Sequence, residues 1–147
     1  MDAEVPQPKV FQQVLDDHKY LKELLARIGQ ALSDRSPPET ISAQLNELAD
    51  RLVQHFALEE EGGYFTEAVK RSPHLSTRAE GLMAQHGKLQ SLSRQLAEGA
   101  QADQGLPRWW TETRTRFDAL RESLLKHESG EDSFLLEAYN QDLGAND

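Results

Sequence analysis

Four of the five histidines in this 147-residue chain occupy positions where the surrounding helical pattern calls for an apolar residue. They are His18, His55, His86 and His127, one in each of four amphipathic segments. The second and the fourth are followed four residues later by a carboxylate, Glu59 and Glu131 respectively. Imidazoles and carboxylates are costly to bury without a partner, and a pair of metal ions would supply that partner. The sequence therefore predicts a metal site inside a helical protein.

The ligand types narrow the chemistry of this site. Residues four apart share one face of a helix, so each His-x-x-x-Glu pair can reach a common point in the core. Nitrogen and oxygen ligands suit iron, manganese or zinc. Because a carboxylate can bridge two ions, Glu59 and Glu131 are predicted to bridge a pair that the four imidazoles cap. At about six coordination sites per iron, a further oxide or hydroxide bridge leaves about two positions open for a small ligand.

The second bridging carboxylate has an alternative in Asp132. Glu131 shares a stripe with His127, whereas Asp132 is rotated from it by about 100°. This difference favours Glu131.

Other polar side chains near the stripes are secondary candidates. Three are conceivable further ligands: Glu61, Tyr64 and Glu128. Tyr20 and Tyr64 are candidate hydrogen-bond partners of the ligands. His74 follows a proline in a turn and is predicted to be exposed, with service as an additional ligand as the alternative.

Four amphipathic segments must position these residues, and they run roughly over 8–33, 38–71, 73–98 and 107–139. Apolar residues recur in each at helical spacing, and no alternation of period two indicates a strand. Prolines and glycines mark every break. Four helices with short connections predict an all-α fold, an antiparallel up-down-up-down four-helix bundle, formed as one domain of residues 1–147.

Three details of the helices remain open at this stage. Gly62-Gly63 predicts a kink or an early end in the second helix, since two glycines cost about 1–2 kcal/mol relative to alanine. His127 lies about 20 residues after Pro107, whereas His86 lies about 12 before the loop that starts at Gly99. Matching their depths requires a fourth helix that starts later or a loop that climbs along the bundle. The apolar stripe of this helix is predicted to include Trp110.

Composition excludes several classes of function. A formal charge of −9, from 25 acidic and 16 basic residues, argues against a nucleic-acid or anionic-membrane surface. With no cysteine, the chain cannot form disulfides, iron–sulfur clusters or a thiol nucleophile. No apolar run approaches the roughly 20 residues that span a bilayer, and the N-terminus lacks the features of a signal peptide. A cytoplasmic location is therefore expected.

Over nearly its full length the chain resembles the hemerythrin-like (HHE cation-binding) family. The matching residues are Asp17-His18, His55-Phe-Ala-Leu-Glu59-Glu60, Gln85-His86, and His127 with Glu131-Asp132. The resemblance implies a four-helix bundle that holds two non-haem iron ions with an oxo or hydroxo bridge.

Two features distinguish the chain from the oxygen-carrying members of that family. Those proteins have a His-x-x-x-His pair on the third helix, whereas His86 has Leu82 and Gln90 four residues to either side. They also place the last carboxylate five residues after the histidine, which would select Asp132, while many other hemerythrin-like domains place it four residues after, which would select Glu131. The missing histidine favours a more open or more carboxylate-rich centre.

The resulting expectation is a protein that binds dioxygen or a related small oxidant, with the four imidazoles as terminal ligands. Manganese or zinc in place of iron is an alternative. A di-iron enzyme that acts on peroxide or nitric oxide, and a metal-responsive interaction module with a protein partner, are the alternative functions. No separate acid–base or nucleophilic constellation supports a dedicated enzyme, so a metal- and oxygen-binding protein is favoured.

Overall fold

A computed structural model describes the backbone of residues 8–145 and the side chains of residues 12–63 and 65–138. The helices are α1 (Pro8–Ser33), α2 (Pro38–Glu61), α3 (Tyr64–Arg71), α4 (Ser76–Ala102) and α5 (Trp109–Ala145), with a 3-10 turn at Pro73–Leu75. Residues 8–145 contain no strand. The prediction of an all-α fold is confirmed.

The four long helices α1, α2, α4 and α5 form a bundle. Helix α1 packs against α2 and α5, and α4 packs against the same two helices. The long helices therefore follow one another around the bundle in chain order and alternate in direction, with α3 and the 3-10 turn connecting α2 to α4. The predicted up-down-up-down arrangement is confirmed. None of the described helices is both long and apolar enough to cross a membrane.

The segment predicted as one helix over 38–71 is two helices in the structure. Helix α2 ends at Glu61, and Gly63 adopts a left-handed conformation with a φ of 82°. Glycine adopts this conformation without the steric penalty that a Cβ imposes, so it ends one helix and redirects the chain into the next. Of the two predicted alternatives at Gly62-Gly63, a kink or an early end of the helix, the structure shows the early end.

The depths of the ligands on α4 and α5 agree once the true helix ends are known. Sixteen residues separate His86 from the end of α4 at Ala102, and eighteen separate the start of α5 at Trp109 from His127. At about 1.5 Å per residue the two levels differ by about 3 Å. The third predicted helix corresponds to α4. Its predicted end at residue 98 was wrong, because α4 continues for another turn to Ala102.

Trp109, rather than Trp110, is the tryptophan that α5 buries. Its exposure is 2 %, and its indole N–H donates a hydrogen bond of 2.8 Å to the carbonyl of Ala100. A buried indole needs an acceptor, and the last turn of α4 supplies one. Trp110, which the sequence placed on the apolar stripe, is only partly buried and packs against the large core.

Two apolar clusters fill the bundle on either side of the predicted ligands. The large core includes Leu21, Leu52, Leu89 and Leu124, and the small core includes Val14, Phe65, Ala79 and Phe134. In α5, for example, His127 and Glu131 follow a residue of the large core and precede one of the small core. In α1 and α4 the order along the chain is the reverse, with a small-core residue before the histidine and a large-core residue after it. The polar residues therefore lie between two layers of apolar packing.

Candidate metal centre

The six predicted ligands meet between the two cores, and none of them is more than 3 % exposed. Their donor atoms form two groups of four, and within each group all atoms lie within 4.8 Å of one another. We call the first the α1/α2 position and the second the α4/α5 position. The first comprises His18, His55, Glu59 and Glu131, and the second comprises His86, His127, Glu59 and Glu131. Both carboxylates are therefore common to the two groups.

Each carboxylate directs one oxygen to each position. Oε2 of Glu59 lies 2.9 Å from Nε2 of His55 and 3.3 Å from Nε2 of His18. Its other oxygen, Oε1, lies 3.1 Å from Nε2 of His86. Glu131 does the same from α5, with Oε1 toward the α1/α2 position and Oε2 toward the α4/α5 position. This is the arrangement that a carboxylate needs to bridge two ions.

The buried nitrogens of His55 and His127 test whether the donors fit a cation. Each Nε2 lies close to a carboxylate oxygen, at 2.9 Å and 2.8 Å respectively, yet neither makes a hydrogen bond. Buried polar atoms of native proteins rarely lack such a partner. These two imidazole nitrogens, each close to a carboxylate oxygen without a hydrogen bond to it, fit a pair of metal ions.

The outer nitrogen, Nδ1, of each histidine contacts an oxygen from a neighbouring helix. Each of these oxygens belongs to a residue adjacent in sequence to a ligand of its own helix. The four contacts are Asp17 with His55 at 3.3 Å, Glu60 with His86 at 2.7 Å, Gln85 with His127 at 2.6 Å, and Asp132 with His18 at 2.9 Å. They run from α1 to α2, α4, α5 and back to α1, so every long helix orients a histidine of the next.

This ring determines which nitrogen of each imidazole faces inward. An oxygen at Nδ1 favours the tautomer that donates from Nδ1, which leaves the Nε2 lone pair free for a metal ion. The sequence analysis missed this role for Asp17, Glu60 and Gln85, although each is the chain neighbour of a predicted ligand. Asp132, the predicted alternative to Glu131, lies at the outer edge of His18 with its side chain 41 % exposed.

The electrostatics of the centre favour positive charge. Burial acts to lower the pKa of His18, but hydrogen bonds to Asp132, Glu131 and Glu59 overcome this effect and raise it to about 12. The pKa of His86 is likewise raised to about 10 against the effect of burial. Burial acts to raise the pKa of Glu131, yet its close contacts with His127, His18 and His86 hold it well below its usual range. Metal ions would displace these protons from the imidazoles, so their uptake must release protons.

The other candidate residues from the sequence can be compared with their positions in the structure. His74 is exposed, as predicted, with its side chain 60 % accessible. Glu61 is also exposed. Tyr20 donates its hydroxyl to Glu47 rather than to a ligand, so its predicted role at the site was wrong. The side chain of Tyr64 lies outside the described residues.

Two further side chains distinguish the two positions. The ring of Phe56 stacks on His86 with centroids 4.0 Å apart and an angle of 8° between the planes. Glu128 is completely buried, and neither of its carboxylate oxygens has a hydrogen-bond partner. Burial raises the pKa of this carboxyl to about 7, even though His18 and His55 act to lower it.

A comparison with protein-family models agrees with this geometry. Residues 10–139 match the model of the hemerythrin HHE cation-binding domain. No curated protein and no solved structure matches the chain. Domains of this description bind cations, and the structure contains two histidine–glutamate groups able to hold a metal ion. The match spans most of the chain, which therefore belongs to the hemerythrin HHE cation-binding family.

Proposed function

We propose that this protein is a non-haem di-iron protein that binds dioxygen or a related small oxidant. The observation that carries the proposal is the pair of four-donor groups that share both carboxylates, Glu59 and Glu131. A single ion would need only one such group. Two overlapping groups are what a pair of bridged ions requires.

The number of donors supports an open centre. Each position has two imidazole nitrogens and two carboxylate oxygens, whereas iron with nitrogen and oxygen ligands takes about six. About two places per ion are left for solvent, a bridging oxygen and an external ligand. When bound, a pair of iron ions would supply redox chemistry and exchangeable coordination places.

The protein contributes orientation and exclusion of water. The ring of outer oxygens holds each Nε2 toward the centre. Phe56 covers the imidazole of His86 on one side, and the small core closes the bundle beyond the ligands. A dry, rigid centre of this kind favours binding of a small apolar molecule over uncontrolled reaction with solvent.

Anaerobic loading with ferrous iron, followed by titration with oxygen, tests the proposal. We expect new visible absorption on addition of oxygen that is reversed when oxygen is removed, with a stoichiometry of one oxygen per two irons. Steady consumption of added hydrogen peroxide or nitric oxide over many turnovers would instead assign the centre to an enzyme. Absence of any spectral response from a protein that retains two irons would contradict oxidant binding.

A further inference from the structure

Glu128 is a buried carboxyl group that the two four-donor groups leave unexplained. It is 0 % exposed, and both Oε1 and Oε2 lack a hydrogen-bond partner. A buried ionised carboxylate is strongly unfavourable unless a cation or hydrogen-bond donors compensate it. A cation bound next to Glu128 would compensate its ionised form.

The position of Glu128 on α5 indicates which half of the centre it lies beside. It precedes Glu131 by three residues, so the two carboxylates share a face of α5. Asp132, four residues after Glu128 on the same face of α5, contacts Nδ1 of His18 at 2.9 Å. The charges of His18 and His55 also act on Glu128. The two imidazoles are the terminal donors of the α1/α2 position. Glu128 therefore lies on that side of the centre, although its chain neighbour His127 belongs to the other.

We propose that Glu128 is an additional carboxylate ligand of the ion bound at the α1/α2 position. This inference rests on the proposed function, because it assigns a further ligand to the same metal pair. As its side chain stands, Glu128 belongs to neither four-donor group, so coordination requires a change in its side-chain torsions. A metal ion would then provide the partner that its oxygens lack.

The extra ligand makes the two positions chemically different. The α1/α2 position gains a fifth protein donor, whereas the α4/α5 position keeps four. On α4 the residues four positions from His86 are Leu82 and Gln90, so that helix has no second histidine to offer. The more open place for an external ligand is therefore at the ion held by His86 and His127.

Metal affinity of matched variants tests the proposal. Wild-type protein, Glu128→Gln, Glu128→Leu and Glu122→Gln are loaded anaerobically with two equivalents of ferrous iron and then challenged with a graded chelator. Glu122 is an exposed acid of the same helix, so its variant controls for the loss of one charge. We expect both Glu128 variants to bind one of the two ions at least about 10-fold more weakly, while the second ion and the control stay close to wild type.

Two independent readouts separate coordination from a structural role. Substitution of cobalt(II) for iron gives a visible ligand-field spectrum, which we expect to change in Glu128→Gln and not in Glu122→Gln. Glu128→Leu should raise the melting temperature of the metal-free protein, because it removes an uncompensated buried carboxyl. This variant keeps the test valid even if the glutamine variant folds poorly.

Either of two results would overturn the inference. Wild-type affinity for both ions in Glu128→Gln and Glu128→Leu, with an unchanged cobalt spectrum, would show that Glu128 is not a ligand while leaving the di-metal proposal intact. Wild-type protein that fails to bind two ions would instead refute the proposed function itself.

Discussion

The two halves of the metal centre have the same donor set but different surroundings. Each offers two Nε2 atoms and shares both carboxylates. In the α1/α2 half, both outer nitrogens contact aspartates. In the α4/α5 half, one contacts Glu60 and the other the neutral amide of Gln85. Glu128 adds charge to the first half, and Phe56 adds an apolar face to the second.

This comparison shows how a nearly symmetric bundle can hold two unequal ions. One imidazole comes from each long helix and the carboxylates come from α2 and α5, and in the proposed centre these inner donors would hold the two ions. The outer residues determine how basic each imidazole is and how open each ion remains. We therefore expect the α1/α2 half to be the tightly held, electron-rich half, and the α4/α5 half to be the reactive one.

The largest loss of metal binding should follow from substitution of a carboxylate that both halves share. Glu59→Gln replaces one of the two carboxylate oxygens by an amide NH2 and removes the negative charge that both positions share, so we expect the protein to retain no metal after desalting. The metal-dependent gain in stability, about 4 kcal/mol at a metal concentration 1,000 times Kd, should disappear with it. Elemental analysis and thermal denaturation measure the two effects. The exposed Glu61→Gln variant is the matched control, and retention of two ions by Glu59→Gln would contradict the bridging role.

Substitution of a single histidine should reduce the metal content less, and by different amounts in the two halves. His127→Ala leaves the α4/α5 position with three protein donors and should reduce the metal content to about one ion per chain. His55→Ala leaves four donors if Glu128 is a ligand, so a second, more weakly bound ion should remain. Titration calorimetry distinguishes the two variants.

The histidine variants also test whether the metal supports the fold. For His55→Ala we expect a lower melting temperature only in the loaded sample, because the imidazole stabilises the protein through the ion. Equal destabilisation of the metal-free and loaded forms would show that this histidine is an ordinary core residue.

Changes in the outer ring should alter affinity and potential without removing an ion. Asp132→Asn replaces a carboxylate at His18 by an amide and should weaken binding about 10–100-fold. Gln85→Glu does the reverse at His127, and we expect it to lower the reduction potential of the centre. Chelator competition and redox titration measure these shifts. If both substitutions moved the potential in the same direction, the account of the ring would be wrong.

A pH dependence with opposite signs in the metal-free and loaded proteins follows from the histidines of the centre. The folded-state pKa values of His18 and His86 are raised to about 12 and about 10, above the value of 6.5 for an unperturbed histidine. Their contribution to the free energy of unfolding is therefore complete below pH 6.5 and declines as the pH rises through 10. The metal-free protein should lose thermal stability between pH 7 and pH 10.

Metal affinity should change in the other direction over the same range. Ions displace protons from the imidazoles, so binding tightens as the pH rises. Melting curves at several pH values, with and without metal, measure both trends. A metal-free protein whose stability rises from pH 7 to pH 10 would be incompatible with protonated imidazoles in the empty centre.

Helical periodicity was sufficient to predict the bundle and the inner donors. His18 and Glu131, for example, replace apolar residues on stripes that must face the core, so their convergence follows from the pattern. The extension of α4 to Ala102 was not predictable from Gly99 and the polar residues around it. That turn is helical because Ala97 and Ala100 pack in the large core and Trp109 bonds to the last turn.

The outer ring and Glu128 depend on tertiary structure. Asp17 and Gln85 lie beside ligands in sequence, but which histidine each contacts depends on which helix is its neighbour. Glu128 is off the stripe of His127, and the sequence marks it only as a conceivable further ligand. Glu128 is buried because α5 packs against both α1 and α4. Two neighbouring helices cover a wider face of α5 than the single apolar stripe predicts.

The central claim is that the shared carboxylates hold two metal ions in one chain. Elemental mass spectrometry of protein expressed with iron and purified without chelator tests it most directly. The account predicts close to two irons per chain in the wild type and close to none in Glu59→Gln. A folded wild-type protein that contains one ion or none, under conditions in which iron is in excess, would contradict it.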